Sequence, residues 1–197
     1  MYNRKTIKTS TIHQGIYKMS HYELKTSVWV PVNRLNVFEL FSDAFKLEPM
    51  TPPFLGFAVV TPPPIEMSVG RLIDYKLRLH GFPIRWQTRI TNWEPPARFE
   101  DSQVRGPYSM WVHTHTFTEI DGGTLMCDAV RYSAIGGALV HRLCVKRDLQ
   151  RIFEYRQKRL PDLLGIESSG CRFEPIEIRR AAVDSCEDTG QMACTSK

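Results

Sequence analysis

Hydrophobic and polar residues alternate with a period of two along most of the central chain. Segment 22–30 alternates in this way, and the same period returns after Gly70 in segments 71–80, 83–94, 98–106, 108–120 and 124–134. Because successive side chains of a strand point to opposite faces, this period predicts β-strands. Short turns such as Gly81-Phe82-Pro83 and Asp121-Gly122-Gly123 join them, which favours an antiparallel meander.

Two other segments have helical spacing. Asn33 can cap a first helical segment that Pro49 ends, and Gly136-Gly137 precede a long amphipathic stretch from Ala138 to Leu164. Pro161 is expected to kink or break the last turn of that stretch. Two proline-rich runs around Phe54, Leu55 and Phe57 allow only a short edge strand between them and suit the rim or lid of a cavity.

These elements predict an α+β fold. Seven antiparallel strands would form a curved sheet around a long C-terminal helix, with short helices after strand 1. The long helix is the only predicted element large enough to cover the buried face of the sheet. A curved sheet does not close completely on one helix, so we expect a cavity between the two.

Composition and charge narrow the choice of function classes. The chain has 197 residues, 42% of them hydrophobic, and no run near the ~18 apolar residues of a membrane span, so we expect a soluble domain without a transmembrane segment. The net charge is +5, but Arg4, Lys5, Lys8 and Lys18 concentrate in an N-terminal arm, and no nucleic-acid-binding motif is present, so nucleic acid is not an expected partner. Five cysteines without a CxxC pair indicate a reducing compartment, and we expect a cytoplasmic protein.

The same patterns predict the domain boundaries. Residues 1–20 are expected to be a disordered basic extension, residues 21–164 the folded domain, and residues 165–197 a disordered tail without sustained periodicity.

Four strings carry a resemblance to a known family: TPPFLGFAVVTPPPIEMSVGRLIDYKLRLHGFPIRWQTRI, RGPYSMWVHTHTF, GGTLMCDAVRY and HRLCVKRDLQRIFEYRQKRL. Over residues 21–164 the chain resembles the SRPBCC superfamily of helix-grip proteins, which includes START domains, Bet v 1 relatives and polyketide cyclase/dehydrases. It is similar to a bacterial subgroup described only as SRPBCC or cyclase/dehydrase-like. The resemblance implies the helix-grip fold and a hydrophobic ligand, whereas no catalytic set is shared across the superfamily.

A cluster of polar side chains is predicted on the inner face of the sheet. Period two places His113 and His115 on the same face as Trp111 and Phe117, and Asp128 faces them from the next strand. A buried polar group without a partner costs about 1–3 kcal/mol, so the cluster needs an explanation. It could brace the sheet as a satisfied network, orient a ligand, act as an acid–base pair, or hold a metal through the HxH pair and a carboxylate.

Cations of the long helix add a second feature. Arg142, Lys146 and Arg156 fall within its apolar stripe. All three could extend to the rim or pair with Asp101 or Asp128 inside the cavity, and Lys146 or Arg142 could meet an acidic ligand head group at the mouth.

We therefore predict a protein that binds a hydrophobic or lipid-like small molecule, with transport as one role. The alternative is a polyketide cyclase or dehydratase that uses His113, His115 or Asp128 as acid or base, and no catalytic residue is assigned. We expect neither a metal nor a cofactor. The predicted cavity residues are Tyr75, Leu77, Trp86, Asp101, Gln103, Trp111, His113, His115, Phe117, Asp128, Tyr132, Lys146 and Phe153.

Overall fold

One antiparallel sheet dominates the structure, a computed structural model that describes residues 20–181. The first 19 residues of the predicted extension and residues 182–197 of the predicted tail lie outside the described residues. The nine strands are β1 (Tyr22–Val30), β2 (Ala58–Val59), β3 (Leu72–Leu79), β4 (Phe82–Glu94), β5 (Arg98–Arg105), β6 (Tyr108–Ile120), β7 (Gly123–Ala134), β8 (Arg172–Phe173) and β9 (Glu177–Arg180). Their order is β2-β3-β4-β5-β6-β7-β1-β8, and β9 also pairs with β1.

The helices lie after β1 and after β7, as the sequence predicts. They are α1 (Arg34–Ser42), 3₁₀ turns at Ala44–Leu47, Pro53–Leu55 and Ser168–Gly170, then α2 (Gly137–Val140), a π-helical turn (His141–Val145) and α3 (Lys146–Leu164). Asn33 caps α1 by accepting a hydrogen bond from the Asn36 amide at 2.9 Å. The α+β helix-grip architecture is thus confirmed, with a few more strands than expected.

The C-terminal helix is not interrupted at Pro161. α3 continues through this buried proline to Leu164 and ends at Gly165, whose φ of 67° is in the left-handed region that glycine adopts freely. The predicted break of the last turn therefore does not occur, although Pro161 has no N–H to donate within the helix. None of the helices in residues 20–181 combines the length and apolar character needed to cross a bilayer.

The prediction that the tail is disordered from residue 165 is wrong for residues 165–181. β8 and β9 pair with opposite ends of β1, on the edge that β7 leaves free. Ile176 and Ile178 pack against the core, and Arg179 donates two hydrogen bonds to Glu23 Oε2, at 3.0 and 2.7 Å. This segment covers the edge of β1 and adds two strands to the seven predicted.

The core lies between the inner face of the sheet and the helices. Period two holds in β3, where Ile73, Tyr75 and Leu77 are buried while their neighbours are exposed. Leu149 and Phe153 of α3 pack against β1, β6 and β7. Farther along, Phe38 and Phe41 of α1 pack on the inner face in a second apolar cluster with Phe117 and Met126.

Candidate functional site

A cavity of about 160 Å³ lies between α3 and the inner face of β3–β6 and is partly open to solvent. Most of its wall is apolar, supplied by side chains such as Tyr75, Leu77, Trp86, Trp111 and Phe153. The wall also contains a cluster of polar side chains, which are Thr88, Asp101, His113, His115 and Arg156. The site therefore combines an apolar chamber with one polar region.

Asp128 lies behind the two histidines and contacts both. The β6–β7 register places it opposite His115, and the period of β6 brings His113 to the same face. His113 Nε2 lies 3.1 Å from Asp128 Oδ1 in a hydrogen bond. His115 Nδ1 lies 2.6 Å from the same oxygen but lacks the alignment of a hydrogen bond. One carboxylate thus orients both imidazole rings.

Asp101 faces the other nitrogen of each ring. It lies opposite His113 in the β5–β6 register, and its Oδ2 is 3.9 Å from His113 Nδ1 and 4.0 Å from His115 Nε2. Its Oδ1 accepts a 2.7 Å hydrogen bond from the Thr88 hydroxyl. Asp101, His113 and His115 offer three ligand atoms that all lie within 4.8 Å of one another, which makes them the residues that could hold a metal.

Arg156 brings a positive charge into the cavity from α3. Its Nη1 is 3.6 Å from Asp128 Oδ2, and its guanidinium lies 4.8 Å from the centre of the Phe153 ring. Its Nε and Nη1 are buried and have no hydrogen-bond partner among the described residues. The unpaired N–H groups of this guanidinium can donate hydrogen bonds to the oxygens of a ligand.

The environment shifts the protonation of three of these groups. Burial opposes ionisation of Asp128, but the charge of His115 and the hydrogen bond from His113 outweigh it and hold the pKa of Asp128 well below its usual value. Burial, and then the charge of His115, lowers the pKa of His113. Burial raises the pKa of Asp101, against the opposing effect of His113. The site thus places an ionised carboxylate beside a histidine that favours its neutral form.

Eight of the predicted cavity residues line the chamber, and Asp128 supports two of them from behind. The eight are Tyr75, Leu77, Trp86, Asp101, Trp111, His113, His115 and Phe153. Leu55 and Phe57 of the proline-rich region also contribute to the wall, whereas Phe54 is exposed.

Four predicted cavity residues lie elsewhere. Gln103 turns to the β5–β6 connection, where its amide donates to the Tyr108 carbonyl at 2.7 Å. Phe117 shares the inner face but lies under α1, 5.4 Å from the ring of Phe38. Tyr132 is fully buried and contacts His141 Nε2 through its hydroxyl at 2.9 Å. Lys146 is exposed at the start of α3.

Arg156 is a cavity residue that the sequence pattern does not single out. The helical spacing places Arg156 in the apolar stripe together with Arg142 and Lys146. Pairing with Asp101 or Asp128 is one of the arrangements that this position allows, but the spacing does not show which of the three cations adopts it. Thr88 and Ile73 also line the cavity, at buried positions of β4 and β3.

Comparisons with known proteins identify the fold. A scan against models of protein families finds no match, and no curated protein matches the chain. Among solved structures, protein Ms6760 from Mycobacterium smegmatis is 18% identical, with a TM-score of 0.55 over 73% of this chain and 90% of that one. Protein CV1439 from Chromobacterium violaceum is 12% identical, with a TM-score of 0.59 over 74% and 98%.

The structure of Ara h 8.0201, a Bet v 1-like protein, is also similar. It is 15% identical, with a TM-score of 0.53 over 72% of this chain and 99% of that one. At such identities the likeness shows the fold alone, which is the helix-grip, Bet v 1-like fold.

Proposed function

We propose that the protein binds a compact, largely apolar small molecule that carries an anionic or oxygen-rich end. The observation that carries this proposal is Arg156, a buried cation in the cavity wall whose Nε and Nη1 lack hydrogen-bond partners among the described residues. Since leaving such donors unsatisfied is costly, a ligand oxygen at this position would stabilise them. The resemblance to SRPBCC proteins, many of which bind hydrophobic ligands, supports the same conclusion.

The dimensions of the cavity limit the ligand. Its volume of about 160 Å³ is below the ~300–1,000 Å³ of pockets for drug-sized molecules and close to the ~150 Å³ that accommodates one benzene ring in an engineered cavity of another protein. We therefore propose a ligand with one or two rings, or a short acyl chain, rather than a complete lipid. Trp86, Trp111 and Tyr75 offer ring faces and edges for aromatic contact.

Calorimetry with a matched pair of probes tests the charge preference. Phenylacetate and neutral phenylacetamide have nearly the same shape and differ in charge. Because a carboxylate can accept a charge-assisted hydrogen bond from Arg156, we expect phenylacetate to bind about tenfold more tightly. Arg156→Met keeps an unbranched apolar stem but removes the guanidinium, and should abolish this preference. These titrations are made in the presence of EDTA.

A second pair of variants tests the position of the ligand. Leu77→Phe reduces the chamber and should weaken both probes, whereas Arg78→Phe adds the same ring on the exposed face of β3 and should leave binding unchanged. Native mass spectrometry of the purified protein gives an independent test, because a retained molecule would identify the ligand class. If neither probe binds and no molecule is retained, the proposal is wrong.

Acid–base catalysis is a second candidate function, and one observation favours it. His113 pairs with the ionised, buried Asp128 through Nε2 and directs Nδ1 toward the cavity, the arrangement of a general base with its orienting carboxylate. A reaction of the cyclase or dehydratase type would use this nitrogen to move a proton. Mass analysis of ligand recovered from the protein separates the two functions. If the wild type alters the ligand chemically, and His113→Gln still binds the ligand but leaves it unaltered, the protein is an enzyme.

A further inference from the structure

We propose that Asp101, His113 and His115 form a binding site for a divalent transition metal ion, of the class of Zn²⁺ or Fe²⁺, that opens into the cavity. Two imidazole nitrogens and one carboxylate oxygen converge from the adjacent strands β5 and β6, all within 4.8 Å of one another. Two histidines and one carboxylate on one side of an ion are a recurrent ligand set for such metals, with the remaining positions open.

The orientation of the imidazole rings supports a metal site. In metal centres, the nitrogen of a histidine that does not bind the ion commonly contacts a carboxylate, which fixes the ring and its tautomer. Asp128 Oδ1 occupies this position for both rings, 3.1 Å from His113 Nε2 and 2.6 Å from His115 Nδ1. The opposite nitrogens, His113 Nδ1 and His115 Nε2, lie on the side of Asp101 and would be free to bind an ion.

The distances around Asp101 favour an ion over direct hydrogen bonds. Asp101 Oδ2 is 3.9 and 4.0 Å from the two ring nitrogens, too far for a hydrogen bond to either. Metal–ligand bonds of about 2.0–2.2 Å at tetrahedral angles separate ligand atoms by about 3.3 Å. Asp101 Oδ2 would need to approach each ring nitrogen by about 0.6 Å, and no pair of the three ligand atoms, all within 4.8 Å of one another, would need to close by more than about 1.5 Å. Asp101 Oδ1 could keep its hydrogen bond to Thr88 during this movement.

The proposed ligands are also accessible from the cavity. All three proposed ligand residues line the cavity. An ion held there would present its open positions to the chamber, where the oxygen of a small molecule could bind.

Titration with Co²⁺ after treatment with EDTA and its removal tests the site. We expect one ion per chain, with the intense visible absorption of four- or five-coordinate Co²⁺, and displacement of this signal by Zn²⁺. Asp101→Asn and His115→Ala each change a ligand and should weaken Co²⁺ binding by about 100-fold or more. Asp128 orients the imidazole rings without binding the ion, so Asp128→Asn should weaken Co²⁺ binding by about 10–100-fold. His80→Ala, which removes an exposed imidazole outside the cavity, should have no effect.

Far-UV circular dichroism establishes whether each variant folds. X-ray absorption of the wild-type Co²⁺ protein is a test that needs no variant, and we expect its spectrum to show two imidazoles bound to the ion. The proposal is overturned if no stoichiometric ion binds, if folded Asp101→Asn and His115→Ala bind as the wild type does, or if the spectrum shows fewer than two imidazoles. Metal binding is measured without an organic ligand and probe binding with EDTA, so either proposal can fail while the other stands.

Discussion

At the scale of single residues, Asp128 organises the site. A buried carboxylate is unfavourable unless it is paired, and Asp128 contacts His113, His115 and Arg156. Its side chain is 2% exposed, so these contacts replace water almost completely. The result is a fixed cluster in which the identity of each partner influences the protonation of the others.

The lowered pKa of His113 predicts a pH dependence of stability. Burial is the main cause, followed by the charge of His115. As the pH falls through the ordinary histidine value of 6.5, the unfolded chain takes up a proton that folded His113 resists, so the free energy of unfolding decreases. We expect His113→Gln to lose less stability than the wild type between about pH 7.5 and about pH 5.5, by at most about 1.4 kcal/mol per pH unit.

Chemical denaturation at several pH values measures this difference. The lowered pKa of His141 contributes with the same sign in both proteins and cancels in the comparison. Burial raises the pKa of Asp101, so proton uptake by folded Asp101 opposes the loss of stability at low pH. The effect of His113→Gln is therefore also measured in an Asp101→Asn background. Parallel pH profiles for the wild type and His113→Gln would contradict the prediction.

Strand parity predicted the polar cluster, but not which residues reach the cavity. A period of two is enough to place His113 and His115 on the inner face and Asp128 beside them. It does not specify where along that face the chamber ends, so Phe117, which α1 covers, was included wrongly. On α3, the helical stripe could not distinguish Lys146 from Arg156, because the choice depends on the position along the helix axis.

At the scale of elements, the C-terminal segment shows the limit of periodicity. β8 and β9 have two and four residues, too few for an alternating pattern to be recognised. Their position depends on contacts across more than 140 residues, such as the Arg179–Glu23 pair. By contrast, β3–β7 each have eight or more residues, and the sequence predicted all of them.

Removal of β8 and β9 should therefore destabilise the fold. A chain ending at Gly170 loses both strands and the packing of Ile176 and Ile178, so we expect its free energy of unfolding to fall by about 1–3 kcal/mol, the contribution of two half-buried isoleucines. A chain ending at Ala181 retains both strands and is the matched control. Urea denaturation of the two chains measures the difference, and equal stability would show that this segment does not stabilise the sheet.

At the scale of the whole molecule, the cavity separates part of α3 from the inner face of the sheet. Its wall includes Leu149, Phe153 and Arg156 from α3 and side chains from four strands. A ligand in the chamber would contact both layers at once and so would add to the interactions that hold the helix on the sheet.

A bound ligand should consequently stabilise the entire fold. A molecule that binds only the folded state raises the free energy of unfolding by about 2.7 kcal/mol at 100 times its Kd. With phenylacetate at that excess, we expect a higher melting temperature and slower hydrogen exchange in both α3 and β6. At the same phenylacetate concentration, Leu77→Phe should show a smaller increase and Arg78→Phe the full one. If protection appeared only in surface loops, or equally in Leu77→Phe, the ligand would lie outside the chamber, because only binding between the two layers stabilises both together.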